Sequence, residues 1–447
     1  MSRDPANSAF RARLAEKLAD SLVAPLPSLT PRRLHGPVSL PRQATAVIGM
    51  RRAGKTTFLH QMRQERAAGG VARELLPYLN LEDEQLAGLA AGDLGLALEE
   101  YYRRFPALRG TATVTWCFDE IQVVPGWERF VRRVLDSEQV EVFLSGSSAA
   151  LLSRELATAM RGRAWEVVIH PFSFAEYLVH HRRVVPATPG FLAAAERSAL
   201  ERDYLDYLTV GGFPEAQGLD AATRQRLLVN YVDVALLRDV VERHAVSNVA
   251  GLRWMVRHLL ANAAGQFSVE RFYAALKSQG LAIAKDTVHQ LLGYLEDCFL
   301  VRTVWVDAGS ERRRMVNPRK TYPIDPALIP IFDRAGRANL GHALETAVLV
   351  ELERRGCDVS YVRTDEGYEV DFLARRAGGG EELIQVCADA TGGGTVEREL
   401  RALATAGRAY PRATRRLLTA TRDALPRALP GGVVGQPAYE WMLAAGD

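Results

Sequence analysis

One stretch constrains this chain more than any other. The run VIGMRRAGKTTFLHQM sets Gly49, Gly54, Lys55 and Thr56 at the spacing Gly-x-x-x-x-Gly-Lys-Ser/Thr, after an apolar run and before a helical pattern. A strand, a glycine loop and a helix in that order turn successive backbone N–H groups toward one point, at the positive end of the helix dipole. A polyphosphate fits such a cradle. The candidate contacts are Gly49, Met50, Arg51, Arg52, Ala53, Gly54, Lys55, Thr56 and Thr57, with Lys55 expected to reach the β- and γ-phosphates and Thr56 to give its hydroxyl to Mg2+. Taken alone, the loop also fits an ordinary strand-to-helix glycine turn.

A second element favours the phosphate reading. The apolar run TVTWCF ends in Asp119-Glu120, and an acid at the carboxyl end of a neighbouring strand lies beside such a loop. Asp119 is then a candidate metal ligand, direct or through water, and Glu120 the residue that orients an attacking water. The expected cofactors are ATP and Mg2+, and the expected reaction turns ATP and water into ADP and phosphate. Past the next strand, VEVFLSGSSAALLS carries Ser145, Ser147 and Ser148 where a γ-phosphate sensor would sit, although serines are also common turn residues. The segment AMRGRAWEVVIHP puts Arg161 and Arg163 before another strand. Either is a candidate arginine finger for a neighbouring subunit, or a cation favoured at a helix end.

The chain has 447 residues, 48% of them hydrophobic, which gives room for three or four domains. A net charge of +3 excludes coating of nucleic acid by bulk charge, so contacts must come from local clusters. Cys117, Cys298, Cys357 and Cys387 are scattered without a Cys-x-x-Cys pair, which disfavours a zinc ribbon, a redox pair or a disulfide framework and suits a reducing cytoplasm. The charged N-terminus has no apolar h-region, and no stretch reaches 18 uncharged apolar residues, so a soluble, unexported chain is expected.

Periodicity orders the rest. Phe10, Leu14, Leu18 and Leu22 predict an amphipathic helix ended by Pro25, Pro27 and Pro31. The runs TAVIG, LLPYLNLE, TVTWCF, VEVFLSG and WEVVIHP predict five strands of a parallel sheet flanked by helices. Helical patterns broken at Gly211-Gly212-Phe213-Pro214 suggest a lid. Three further helical segments, the run FLVRTVWVD, a turn at Ala308-Gly309 and a second extended stretch read as helix-turn-helix plus a β-hairpin wing. Ser268 and Asp286 are candidate N-caps there, and Val288, Leu291, Leu292 and Leu295 share one helix face. The opposite face offers Lys285, Thr287, His289 and Gln290 to DNA, or to solvent. Arg312, Arg313, Arg314, Arg319 and Lys320 crowd the wing, where DNA phosphate is the natural counter-charge and a protein surface the rival.

With GMRRAGKT, YLNLEDEQL, FDEIQ, SGSSAALLS, RGR, YLTVGGFPE and RKTYPID in view, the chain resembles a prokaryotic family of AAA+ ATPases, from about residue 40 onward. The resemblance implies an α/β protein: an AAA+ P-loop core with a helical lid, a winged-helix domain and a C-terminal α/β restriction-endonuclease-like domain related to PD-(D/E)XK nucleases. The expected division is 1–44 N-terminal helical arm, 45–180 ATPase core, 181–250 lid, 251–330 winged helix and 331–447 nuclease-like domain. Glu345 and Asp371 match the first two acidic positions of the nuclease pattern. Gln385-Val386-Cys387 stands where Glu-x-Lys belongs, so a degenerate nuclease, kept to bind DNA or partner subunits, is expected. Sites of this type need a neighbour's arginine, which implies a homo-oligomer, with a hexameric ring as its candidate form. The reading that results is an oligomeric ATPase that binds and remodels or translocates duplex or branched DNA without a membrane partner. A slow nucleotide-dependent switch in signalling or defence, and an ATP-regulated nuclease, are the alternatives.

Overall fold

The computed structural model describes residues 5–146, 160, 162–281, 283–332, 339–391 and 393–444. Ser147, Ser148 and Arg161 lie outside them. The chain divides into two compact units, Met1–Ile169 and His170–Asp447.

The first unit is built on a five-stranded sheet of β1 (Ala44–Ile48), β2 (Tyr78–Asn80), β3 (Val114–Asp119), β4 (Val140–Ser145) and β5 (Ala164–Val168), in spatial order 2-3-4-1-5. All neighbouring pairs are parallel. Every residue of β1 and β3 is buried, as strands covered on both faces require. Among the described residues of this unit the α-helices are α1 (Pro5–Val23), α2 (Lys55–Ala68), α3 (Ala91–Arg104) and α4 (Trp127–Ser137). On α4, Trp127, Phe130, Val131 and Val134 form the buried stripe at i, i+3, i+4 and i+7. The arm helix α1 packs along α3 through buried Leu14, Leu18 and Leu22, and Arg11 bridges Glu99 and Glu100. Phe10 is only partly buried. The five expected strands are all present in this sheet.

The second unit opens with α5 (Phe174–His180), α6 (Ala194–Val210) and α7 (Ala221–Val234), which continues as a π-helix over Ala235–Glu242. Then come α8 (Val249–Ala261), β6 (Gln266–Phe267), α9 (Val269–Ser278) and α10 (Lys285–Asp297). Next are β7 (Val301–Val306), α11 (Glu311–Val316), β8 (Arg319–Pro323) and α12 (Leu340–Arg354). The chain closes with β9 (Asp358–Arg363), β10 (Glu369–Arg375), β11 (Glu381–Val386), α13 (Gly393–Ala409), β12 (Thr414–Thr419), β13 (Val433–Pro437) and α14 (Ala438–Leu443). The strands form one sheet in the order 13-12-11-10-9-7-8-6. Because β7 pairs in parallel with β9, Trp305 opposite Ser360, the hairpin expected to be a separate wing is continuous with the C-terminal strands. Residue 330 therefore separates no two sheets. Helix α12 is buried along most of its length, which explains its near-uniform apolar composition.

Two local expectations change. A six-residue helix, capped by Ser310, stands where the second extended stretch was expected to begin, and the strand resumes only at Arg319. Helix α10 starts after Ala284, so Asp286 lies in its first turn and is not the cap; Ser268 does cap α9, accepting from the Arg271 N–H. Val288, Leu291, Leu292 and Leu295 are all buried. Among the described residues the cysteines are unpaired, and no helix is long and apolar enough to cross a membrane.

The Gly211-Gly212 turn is held by Asp325. Its Oδ2 accepts from Gly212 N–H at 2.7 Å and its Oδ1 from Ala327 N–H at 2.9 Å. A Cβ on Gly211, at φ +74° and ψ −172°, would fall 1.9 Å from Asp325 Oδ1. That backbone region is almost confined to glycine. Gly211→Ala should therefore cost about 2–4 kcal/mol in denaturant unfolding of the second unit. Gly309→Ala, with nothing within 4 Å of its Cβ position, should stay within about 0.5 kcal/mol.

Candidate functional site

The buried strand β1 delivers the chain to Gly49 at φ +143°, where a Cβ would meet the Ile169 carbonyl oxygen at 2.3 Å. Arg52 at φ 66° and Gly54 at φ 104° are also left-handed, so the loop coils back on itself before α2 begins at Lys55. Three such residues in six keep its N–H groups converging. Lys55 is buried, and its Nζ donates to the carbonyl oxygens of Gly49 at 3.0 Å and Met50 at 3.1 Å. Thr56 and Thr57 are exposed in the first turn of α2.

The acidic pair stands at the same edge of the sheet. Asp119, 2% exposed, ends β3; its Oδ1 accepts from the Ser145 hydroxyl at the end of β4, and its Oδ2 from Tyr78 OH at 2.7 Å. Ser145 Oγ also accepts from the Glu120 N–H at 3.0 Å. The next residue, Gly146, donates to Val47 O of β1 at 3.4 Å. The hydroxyl of Ser145 thus links the end of β3 to the strand that runs beside β1. Glu120 takes a left-handed φ of 53°, costly for a side chain of this kind, and its Oε2 accepts from Gln122 Nε2. Burial, followed by the nearby Asp119 charge, pushes the Tyr78 phenol well above its ordinary range, so it stays a donor to the carboxylate. The Tyr78 ring also lies 4.6 Å from that of His60 on α2. Tyr78 has no motif signal; only the β2–β3 register, which sets Asn80 opposite Asp119, brings it there.

These residues suit a triphosphate and its metal. The loop offers amide donors and an ammonium, α2 offers two accessible hydroxyls, and Asp119 offers a carboxylate now satisfied by hydroxyl donors. Arg163 is exposed and pairs with Asp136.

The cations expected on a wing do not act as one cluster. Arg312 and Arg313 are exposed on α11, whereas Arg314 and Arg319 lie over the Trp305 ring, Arg319 at 3.7 Å from its centroid. Arg319 also faces Glu296 at 3.8 Å. Lys320 is the clear correction. It is 3% exposed and turned inward, with Nζ at 2.9 Å from Glu345 Oε1, 3.0 Å from Glu369 Oε1 and 2.9 Å from Asp371 Oδ1. Neighbours on a strand point to opposite faces, so Arg319 looks outward and Lys320 into the sheet's core face. On α10, His289 and Gln290 are exposed, Thr287 is half-buried, and Lys285 pairs with Glu270.

Glu345 and Asp371, two of the positions expected from the nuclease pattern, belong to the same cluster. Tyr322 OH donates to Glu345 Oε1 at 2.7 Å, and Asp371 Oδ2 accepts from Val386 N–H at 2.9 Å. Gln385 Nε2 donates to Glu399 Oε2 at 2.6 Å, while its own Oε1 is buried without a partner. An ammonium, that of Lys320, thus stands beside Glu345 and Asp371, from a strand outside the expected motif. Cys387 donates to the Asp389 carbonyl oxygen. Burial opposes the Lys320 charge, yet Asp371, Glu345 and Glu369 outweigh it and hold the ammonium well above its usual range. Burial and the Asp371 charge push the Glu345 carboxyl up.

A parallel sheet in the order 2-3-4-1-5, with a phosphate-type loop after β1 and an acidic pair after β3, defines a P-loop AAA+ core. Residues 41–178 match the family described as AAA domain, and residues 201–336 the domain of unknown function DUF8612. The chain is 33% identical over 354 residues to the uncharacterized protein MJ1544 of Methanocaldococcus jannaschii, covering 78% of this chain and 75% of that one. An uncharacterized protein of Haemophilus influenzae is 29% identical over 342 residues, covering 76% and 80%. Among solved structures, the Walker-type ATPase PABY2304 of Pyrococcus abyssi aligns over 72% of this chain and 95% of its own, at 14% identity and a TM-score of 0.39. The chain belongs to the MJ1544 family of AAA-domain proteins.

Removing the Lys320 charge leaves three carboxylates facing one another. Lys320→Met should destabilise the second unit by roughly 3–5 kcal/mol at pH 8 in urea unfolding. The deficit should shrink toward pH 5, because Glu345, already pushed up, then takes a proton and removes one of the repelling charges.

Proposed function

We propose that the protein hydrolyses ATP with Mg2+ and works as an oligomeric machine on duplex or branched DNA. The observation that carries the catalytic part is the gathering, at one sheet edge, of the Lys55 loop and the Asp119-Glu120 pair, joined through Ser145. Loop amides from Gly49 to Thr57 bind the phosphates, and Lys55 leaves the Gly49 and Met50 carbonyls to meet the β- and γ-oxygens. Thr56 and Asp119 would hold Mg2+, which would neutralise charge on those oxygens. Glu120 orients the water, its Oε2 steadied by Gln122 Nε2. Ser147 or Ser148 would sense the γ-phosphate, and Arg161 or Arg163 of a neighbouring copy would complete the charge. Arg163 is exposed enough for that role once it releases Asp136.

The DNA part rests on Arg312 and Arg313, exposed on α11, with Arg314 beside them and Lys285, Thr287, His289 and Gln290 on α10. Lys320 takes no part in it. ATP hydrolysis should be measured with no DNA and with duplex, single-stranded and four-way-junction DNA, alongside the assembly mass. Lys55→Ala should lose ATP binding, Glu120→Gln should retain bound ATP, and one DNA form should stimulate the wild type. Changing Arg312, Arg313 and Arg314 to Ala should lower the log–log salt slope of DNA binding by about 2–3. Turnover indifferent to every DNA would favour the slow switch instead.

A second reading, an ATP-regulated nuclease, is favoured by one observation: Lys320 supplies the ammonium that Gln385-Val386-Cys387 lacks. Incubation of linear, single-stranded and branched DNA with Mg2+ or Mn2+ tests it. Cutting by the wild type that disappears in Asp371→Ala would establish the nuclease; intact DNA under all conditions would leave the cluster as an internal ion network.

A further inference from the structure

The segment before β1 carries an interaction that no motif announced. Arg32 is only 6% exposed, and its guanidinium Nη2 donates to the carbonyl oxygen of Ala53, inside the loop. Its backbone is clamped by α2: Arg32 N–H donates to Gln61 Oε1 at 2.7 Å, and Gln61 Nε2 donates back to Arg32 O at 3.0 Å. Gln61 is itself 4% exposed and steadied by Glu65 Oε1 at 2.8 Å. Segment, loop and helix are therefore tied together by these bonds. Gly54 completes it, since a Cβ there would fall 2.8 Å from Arg32 Nη2.

We propose that Arg32 is a positioning residue for the nucleotide's phosphates, acting through the Ala53–Gly54 peptide; this rests on the ATP reading above. In a phosphate cradle the N–H groups face the ligand and the carbonyls face away. A cationic donor on the Ala53 oxygen draws electron density across that peptide and makes the Gly54 N–H, at its other end, a stronger donor. The same guanidinium raises the local positive potential in surroundings that screen it poorly. Its contact lies on the loop, away from the strand ends that would meet the γ-phosphate. Its ligand class is therefore the nucleoside diphosphate moiety shared by ADP and ATP.

Fluorescent ADP and ATP analogues titrated against the full-length wild type, Arg32→Gln, Arg32→Ala and Arg32→Lys test this. Arg32→Gln should weaken both nucleotides by roughly tenfold, as expected for loss of one charge-assisted hydrogen bond. Arg32→Lys should fall between it and the wild type, and added methylguanidinium should restore part of the affinity of Arg32→Ala. Should the Gln and Ala variants fail to fold by thermal melting, Arg32→Lys carries the test, with an equal loss for ADP and ATP expected. A loss confined to ATP would make Arg32 a γ-phosphate sensor and overturn the proposal. Unchanged affinity in the variants would also overturn it while the ATP reading stood. A wild type without nucleotide affinity would remove both.

Discussion

Parallel strands cannot be joined by tight turns, so each must be followed by a crossover that starts at the same edge of the sheet. That constraint governs the first unit. The loop after β1, the acidic pair after β3 and the serine after β4 emerge side by side because their strands run the same way. Residues far apart in the chain meet there without any strand bending toward a site. Asp119 needs only the hydroxyls of Ser145 and Tyr78 to satisfy a buried carboxylate.

The second unit obeys a different rule. Its sheet mixes parallel and antiparallel pairs, and its centre is held by charge as well as by apolar packing. An ammonium can be buried this deeply only because three carboxylates surround it, and they tolerate one another only because of it. This network ties β8, at the hairpin, to α12 and β10 of the C-terminal part. It makes the hairpin and the C-terminal strands one structure, where a reading by motifs divides them.

The glycines and lysine of the loop, the apolar runs and the acidic pair were legible in the chain because their chemistry is local. A loop must turn left-handed to converge its amides, and glycine does so freely at 49 and 54. The stripe Val288, Leu291, Leu292 and Leu295 was legible for the same reason, since helical period alone assigns its face. Arg319 and Lys320 were not. Two adjacent cations on a strand always face opposite ways, and which one faces inward depends on what lies on each side. The buried Tyr322, two residues on and bonded to the same Glu345, is what marks Lys320 as internal.

The chain alone therefore determined the phosphate loop, the order of strands and helices around it and the acidic pair, because each follows from neighbours within a few residues. Only the tertiary structure decided that Tyr78 and Ser145 share Asp119, that Arg32 braces Ala53, and that Lys320 joins Glu345, Glu369 and Asp371. Those contacts link residues from 21 to 51 positions apart. Their pairing is set by sheet register and helix docking, which no local pattern encodes.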